Sequence, residues 1–214
     1  RSDLILDNAH IFSDQGKIIN SVSKKSTKII IVGNPANTNA LIVCNNTPNI
    51  PNENITSLMR LDQNRAKSIL SSKVNHHVSS VTKLIVWGNH STTQYPDIFH
   101  AQIDDSSNFL ESIDDKWIQE DFIPRVQKRG AEIIEYRGLS SAASAASAVY
   151  DHLNALVHGS NDWESMGILT TNNYSITSNI FYSLPLEVTK NGYRVIESLK
   201  VSDAMRKYLS DTEK

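Results

Sequence analysis

TKIIIVGNPANTNALIV, residues 27–43, sets the fold class. Its apolar positions run on from Ile29 to Val32 without polar alternation. A strand buried on both faces of a parallel sheet has this pattern, whereas one with a solvated face alternates. Gly33-Asn34-Pro35 ends the run, and ANTNALIVCNN then has the length and composition of a helix.

Working outward, residues 1–24 place Leu4, Ile5, Ala9, Ile11, Phe12, Ile18, Ile19 and Val22 at roughly helical spacing, interrupted near Gly16. They predict one long or broken helix. A Pro- and Asn-rich connection, NNTPNIPNENI, leads to a helix over about 59–75. VTKLIVW (81–87) predicts the next buried strand, and FHAQI (99–103) a short one. WIQEDFIPRVQKRGAEIIEY carries helical periodicity through Trp117, Phe122, Val126 and Ile133, and an Ala-rich helix follows. Between Trp163 and Ser198, three β-rich runs broken by NNYS and KNG read as an antiparallel meander. A last helix opens with Ser202 as its N-cap. The expected fold is α/β: the C-terminal half of a doubly wound parallel sheet followed by an α+β domain with an antiparallel meander. The boundary is placed at residue 97, giving units 1–97 and 98–214.

A chain of 214 residues with 39% hydrophobic content can bury a substantial core. The net charge of −2 gives no electrostatic footprint for nucleic acid or an anionic membrane. No apolar run is long enough to span a bilayer as a helix, and the first residues lack a signal-peptide layout. Cys44 is the only cysteine, which removes disulfide frameworks and Cys-based zinc sites and fits a reducing compartment. The reading is an intracellular protein whose partners are small molecules or other proteins.

Asn34 follows the first predicted strand and His90 the second, at the strand ends where open α/β sheets bind ligands. Asp62 and Arg65 stand i, i+3 on the intervening helix and share a face. The bland reading of that pair is a surface salt bridge, and of His90 an ordinary loop residue. Taken together, the four groups suit proton transfer on a carboxylate-bearing small molecule. The carboxylate would hold the imidazole in one tautomer, and the guanidinium would grip a substrate carboxylate through two parallel hydrogen bonds. Nothing comparable surrounds the other six histidines, and the His76-His77 pair lacks further metal ligands. Ser91, Thr92 and Thr93 could cap a helix or line a polar pocket. Ser140 and Ser141 most simply cap the Ala-rich helix. No G-x-S-x-G nucleophile elbow occurs.

VGNPANTNALI (32–42), MRLDQNRAK (59–67), VWGNHSTTQYPD (86–97) and RGLSSAASAA (137–146) together resemble malate dehydrogenase of the cytosolic type, within the lactate/malate dehydrogenase family. The resemblance covers nearly the whole chain. It implies reversible, NAD-dependent oxidation of malate to oxaloacetate, in the cytoplasm, by a homodimer that needs no metal. His90 would be the acid–base residue with Asp62 as its partner. Substrate would be held by Arg65, Asn34, Ser140, Ser141 and Arg1, the last on a mobile active-site loop. The cofactor would meet Asn8, Gln15, Val32, Gly33 and Asn34. The family's G-x-G-x-x-G turn occurs nowhere in the sequence, nor does the loop arginine that would select oxaloacetate. On that resemblance the missing N-terminal half is itself an expected partner, and the isolated chain is expected neither to bind NAD tightly nor to turn over. NADP in place of NAD, lactate or another 2-hydroxy acid as substrate, and a non-catalytic scaffold stay open as alternatives.

Overall fold

The computed structural model describes residues 2–213, with side chains from residue 8 onward. Seven α-helices and nine strands occur among them, in the order α1 (Ser2–Val22), β1 (Ile29–Ile31), α2 (Ala36–Asn45), β2 (Ile55–Leu58), α3 (Arg60–Val74), β3 (Val81–Thr82), β4 (Ile85–Trp87), β5 (Tyr95–Asp97), β6 (Gln102–Ile103), α4 (Asp115–Trp117), α5 (Ile123–Arg137), α6 (Ala143–His158), β7 (Glu164–Leu169), β8 (Phe181–Thr189), β9 (Gly192–Val195) and α7 (Asp203–Glu213). The α/β class and the meander are as expected.

One five-stranded sheet, ordered β1-β2-β7-β8-β9, carries both the parallel part and the meander. β1 and β2 pair in parallel, with Ile30 opposite Thr56, and β2 then pairs antiparallel to β7. β2 lies within what the sequence suggested was connection. All four of its residues are buried, yet Thr56 and Ser57 interrupt the apolar run and Asn-rich segments flank it, so no strand periodicity is visible.

The predicted strand 81–87 is two strands. Lys83 adopts φ +56°, and its N–H donates to Asp162 Oδ1 at 2.7 Å, which breaks the run. β4 joins no parallel sheet; it pairs antiparallel to β5, Trp87 opposite Tyr95. The expected strand 99–103 shrinks to β6, paired with β3. α1 runs unbroken through Gly16, which is buried where α1 meets α2. A Cβ there would come within 2.8 Å of Asn46 Cβ, so glycine serves close helix approach rather than a break. α4 and α5 are joined by a π-helical turn, Ile118–Phe122.

The main core packs α3, α5 and α6 around β4, β7 and β8, with Leu70, Trp87, Phe122, Met166 and Leu184 fully enclosed. Each such side chain contributes roughly 1.5–3 kcal/mol relative to exposure. A second cluster, including Ile29, Ala40, Val43 and Ile55, seals α2 onto β1 and β2. Between these clusters α3 is held in place by Gln63, which is wholly buried. Its Nε2 donates to the carbonyls of Leu84 (2.9 Å) and Trp163 (2.8 Å), and its Oε1 accepts from Ser165 N–H (3.0 Å). That fixes the first turn of α3 against the start of β4.

Candidate active site

Asp62 stands in the first turn of α3, next to the Gln63 anchor, and is 1% exposed. Its Oδ2 lies 2.6 Å from His90 Nδ1, and its Oδ1 accepts from Arg65 Nη1 at 3.0 Å. One buried carboxylate thus touches an imidazole and a guanidinium, both of which retain some exposure to solvent. Burial alone would push the Asp62 carboxyl up, but its contact with His90, the His90 charge and the Arg65 charge outweigh burial and hold it below the usual carboxylate range. For His90, burial pulls the imidazole down while the Asp62 contact and charge lift it more, so it stays above its ordinary value. The pair is therefore a charged one, with the imidazole disposed to hold a proton near neutral pH. Nδ1 faces the carboxylate, and Nε2 has no hydrogen-bond partner among the described residues. Proton exchange can take place there.

The strand-end rule explains only part of this arrangement. Asn34 does follow parallel strand β1 and is exposed on the loop with Val32 and Gly33. His90 follows β4, which lies outside the parallel pair, so its placement comes from contacts instead. Asn37, 5% exposed, accepts the His90 N–H at Oδ1 (3.0 Å) and donates from Nδ2 to Phe181 O (2.9 Å). Nothing in NPANTN distinguished Asn37 from the asparagines around it. Only the fold shows that it ties the histidine loop to β8.

The remaining residues expected at the site are more dispersed. Asn34 makes no hydrogen bond to His90, Asp62 or Arg65. Ser140 is exposed and Ser141 half-buried in the turn between α5 and α6, and neither caps α6, whose N-cap is Ala142 without a side-chain bond. Ser91 and Thr93 bond each other at 2.8 Å rather than capping a helix. Gln15 is exposed on α1, and half-buried Asn8 lies a little under two turns earlier. Arg1 lies outside the described residues. Arg65 also borders a groove of about 590 Å³ between α3, α5 and α6, lined further by Arg129, Ser144 and Ser147; His90 is not on its wall.

The expectation that the other histidines lack comparable neighbours fails at His100. Its Nδ1 lies 2.6 Å from Oδ2 of Asp97, a fully buried carboxylate that also accepts from Trp87 Nε1 at 3.0 Å. The pair sits i, i+3 across a turn, a spacing that merges into loop composition when read in sequence. His152 is likewise buried, bonded to Thr56 Oγ1 at 2.9 Å, with its imidazole pulled down to about 3 by burial and the Arg60 charge.

The carboxyl end of β1 leaves an open turn that a ligand could reach. Val32 is 42% exposed, Gly33 is exposed with the Phe12 ring 3.1 Å from where a Cβ would stand, and Asn39 Nδ2 steadies that turn by donating to Gly33 O at 2.9 Å. Among residues 8–213 no group of three or more His, Cys, Asp or Glu is arranged to hold a metal, and no helix is long and apolar enough to cross a membrane.

A parallel β-α-β unit that continues into an antiparallel meander defines an α/β protein, and its candidate site sets a buried carboxylate between an imidazole and a guanidinium. Residues 59–214 match the lactate/malate dehydrogenase alpha/beta C-terminal domain, and residues 1–56 the NAD binding domain of the same family. The chain belongs to the lactate/malate dehydrogenase family. It is similar to a malate dehydrogenase from Naegleria fowleri at 39% identity and TM-score 0.95, covering 100% of this chain and 66% of that one. A Trichomonas vaginalis lactate dehydrogenase, solved with NADH and oxamate, matches at 34% identity and TM-score 0.93, over 100% and 67%. The malate dehydrogenase of Aeropyrum pernix, at 22% identity and TM-score 0.84 over 96% and 67%, shares the fold. The chain thus spans about two thirds of the length of the structures it matches.

Proposed function

We propose that this chain is the substrate-binding and acid–base part of a cytosolic-type malate dehydrogenase that interconverts malate and oxaloacetate with NAD. The observation that carries the reading is Asp62, whose two oxygens reach His90 at 2.6 Å and Arg65 at 3.0 Å. Proton exchange and carboxylate recognition then fall within one small substrate. In the oxidative direction His90 accepts the C2 hydroxyl proton at Nε2, and Asp62 stabilises the imidazolium that forms. In reverse, the imidazolium protonates the oxygen of the 2-oxo acid. Assistance of this kind is worth roughly 10²–10⁴ in rate. Arg65 orients the substrate carboxylate, helped by Asn34, Ser140, Ser141 and Arg1.

NAD, when bound, accepts or returns the hydride. Asn34 would meet its nicotinamide region and Asn8, Gln15, Val32 and Gly33 would make further contacts with it, and the family match of residues 1–56 supports NAD as the cofactor. Residues 1–97 complete the cofactor unit and carry the active-site helix, while 98–214 form the substrate unit. The protein works as a cytoplasmic homodimer. Exposed Tyr150 (68%), Leu153 (42%) and Val157 (49%) on α6 support a second copy packing there.

The test is NADH oxidation by the purified 214-residue chain, and by any longer polypeptide of the gene that contains it, with oxaloacetate and with pyruvate. Preference for oxaloacetate in the longer polypeptide, with no turnover by the 214-residue chain alone, is the expected outcome. Preference for pyruvate favours a lactate dehydrogenase, the reading to which the similar Trichomonas vaginalis enzyme points. Turnover of neither makes the protein a non-catalytic relative.

A further inference from the structure

We infer that Thr212, on the last helix, is a positioning residue for the His90 imidazole. This rests on the acid–base reading of His90. Thr212 is 3% exposed, and its hydroxyl oxygen accepts twice from the histidine loop: from Asn89 N–H at 2.9 Å and from Thr93 Oγ1 at 3.0 Å. Gly88, at φ +100°, passes so close that a Cβ would fall 2.3 Å from Thr212 Cγ2. Residues 88, 89 and 93 therefore bracket His90 against one side chain, 119–124 positions away in sequence. Asn37 Oδ1 accepts the His90 N–H itself at 3.0 Å.

Two independent elements, α2 and α7, thus grip the backbone that aims the imidazole at Asp62. α7 is itself firmly seated: Met205 and Leu209 are buried, Tyr182 Oη donates to Leu209 O at 3.1 Å, and Tyr208 stacks on Tyr95 with ring centroids 4.8 Å apart. Removing the Thr212 hydroxyl therefore slackens the loop and leaves the helix docked. A catalytic group set slightly off its productive geometry loses rate while substrate binding persists.

The experiment compares Thr212→Val, which keeps the shape and loses the acceptor, with Thr212→Ser, which keeps the acceptor, in the longer polypeptide that contains the chain. His90 imidazole titration is followed by NMR, and kcat and KM are measured with NADH and the preferred 2-oxo acid. Thr212→Val is expected to move the His90 titration down toward the ordinary imidazole value and to lower kcat about tenfold with KM within about twofold, the size of one lost hydrogen bond. Thr212→Ser restores both. An unchanged titration in folded Thr212→Val overturns the inference, even if its unfolding temperature drops. Should Thr212→Val not fold, Thr93→Ala, at an exposed position, gives a smaller shift in the same direction or overturns the inference. If the protein reduces no 2-oxo acid, the proposed function fails, and the titration alone decides the positioning role.

Discussion

Two histidine–aspartate pairs in this chain make the same contact, Nδ1 to Oδ2 at 2.6 Å, with similar histidine exposure of 22% at His90 and 18% at His100. Their surroundings separate them. Asp62 shares its charge with Arg65, and His90 leaves Nε2 without a partner among the described residues. Asp97 spends its capacity on Trp87 Nε1 and Phe99 N–H, while His100 is engaged at Asp97 and by the Lys200 backbone. A dyad does chemistry when its second nitrogen stays open and a substrate anchor stands next to it. Otherwise the same geometry is a cross-link.

The difference is easiest to break at His90. His90→Asn should cut kcat by roughly 10²–10⁴ and, because Asp62 stays buried with one partner fewer, cost about 1–3 kcal/mol in unfolding free energy. A parent-like rate would move the acid–base role elsewhere. Arg65 is what the first dyad has and the second lacks. Arg65→Lys keeps the charge but loses the planar fork, so kcat/KM for the 2-oxo acid should fall about 10–100-fold, the worth of one hydrogen bond to a charged group. Steady-state kinetics with both substrates reads it, and an unchanged value removes Arg65 from carboxylate binding.

At His100 only the stability cost is expected. His100→Asn should leave kcat near that of the parent and cost about 1–3 kcal/mol in urea unfolding, because Asp97 stays buried with one donor fewer. A rate loss without destabilisation would make the second pair the chemical one.

The smallest effect is in pH dependence. The contact and charge of Asp97 and the Lys200 backbone lift the His100 imidazole above its ordinary value, with burial opposing. A raised folded value means the stabilisation is fully present below the unfolded value and is lost as pH rises through the folded one. The stability gap between parent and His100→Asn should therefore narrow as pH rises from the ordinary imidazole value of about 6.5 through the raised folded one. A gap that widens would show the imidazole to be neutral in the fold.

Much of this was readable from local pattern. The unbroken apolar run of β1, the meander and the Ser202 cap, whose Oγ accepts from Met205 N–H at 3.2 Å, depend on neighbours in sequence and came through directly. So did Asp62 and Arg65, because helical spacing alone puts i and i+3 on one face. Less visible were β2, whose Thr56 and Ser57 hide a fully buried strand, and the break at Lys83, whose N–H is satisfied by Asp162 from 79 positions away.

By itself the sequence determined the α/β class and singled out Asp62, Arg65 and His90 for the candidate site, since periodicity and side-chain chemistry are local properties. Only the tertiary structure decided that Asn37 and Thr212 hold the histidine loop and that His100 has a dyad of its own. Those contacts join residues up to 124 positions apart, and burial turns each from a solvated group into one that must find a partner.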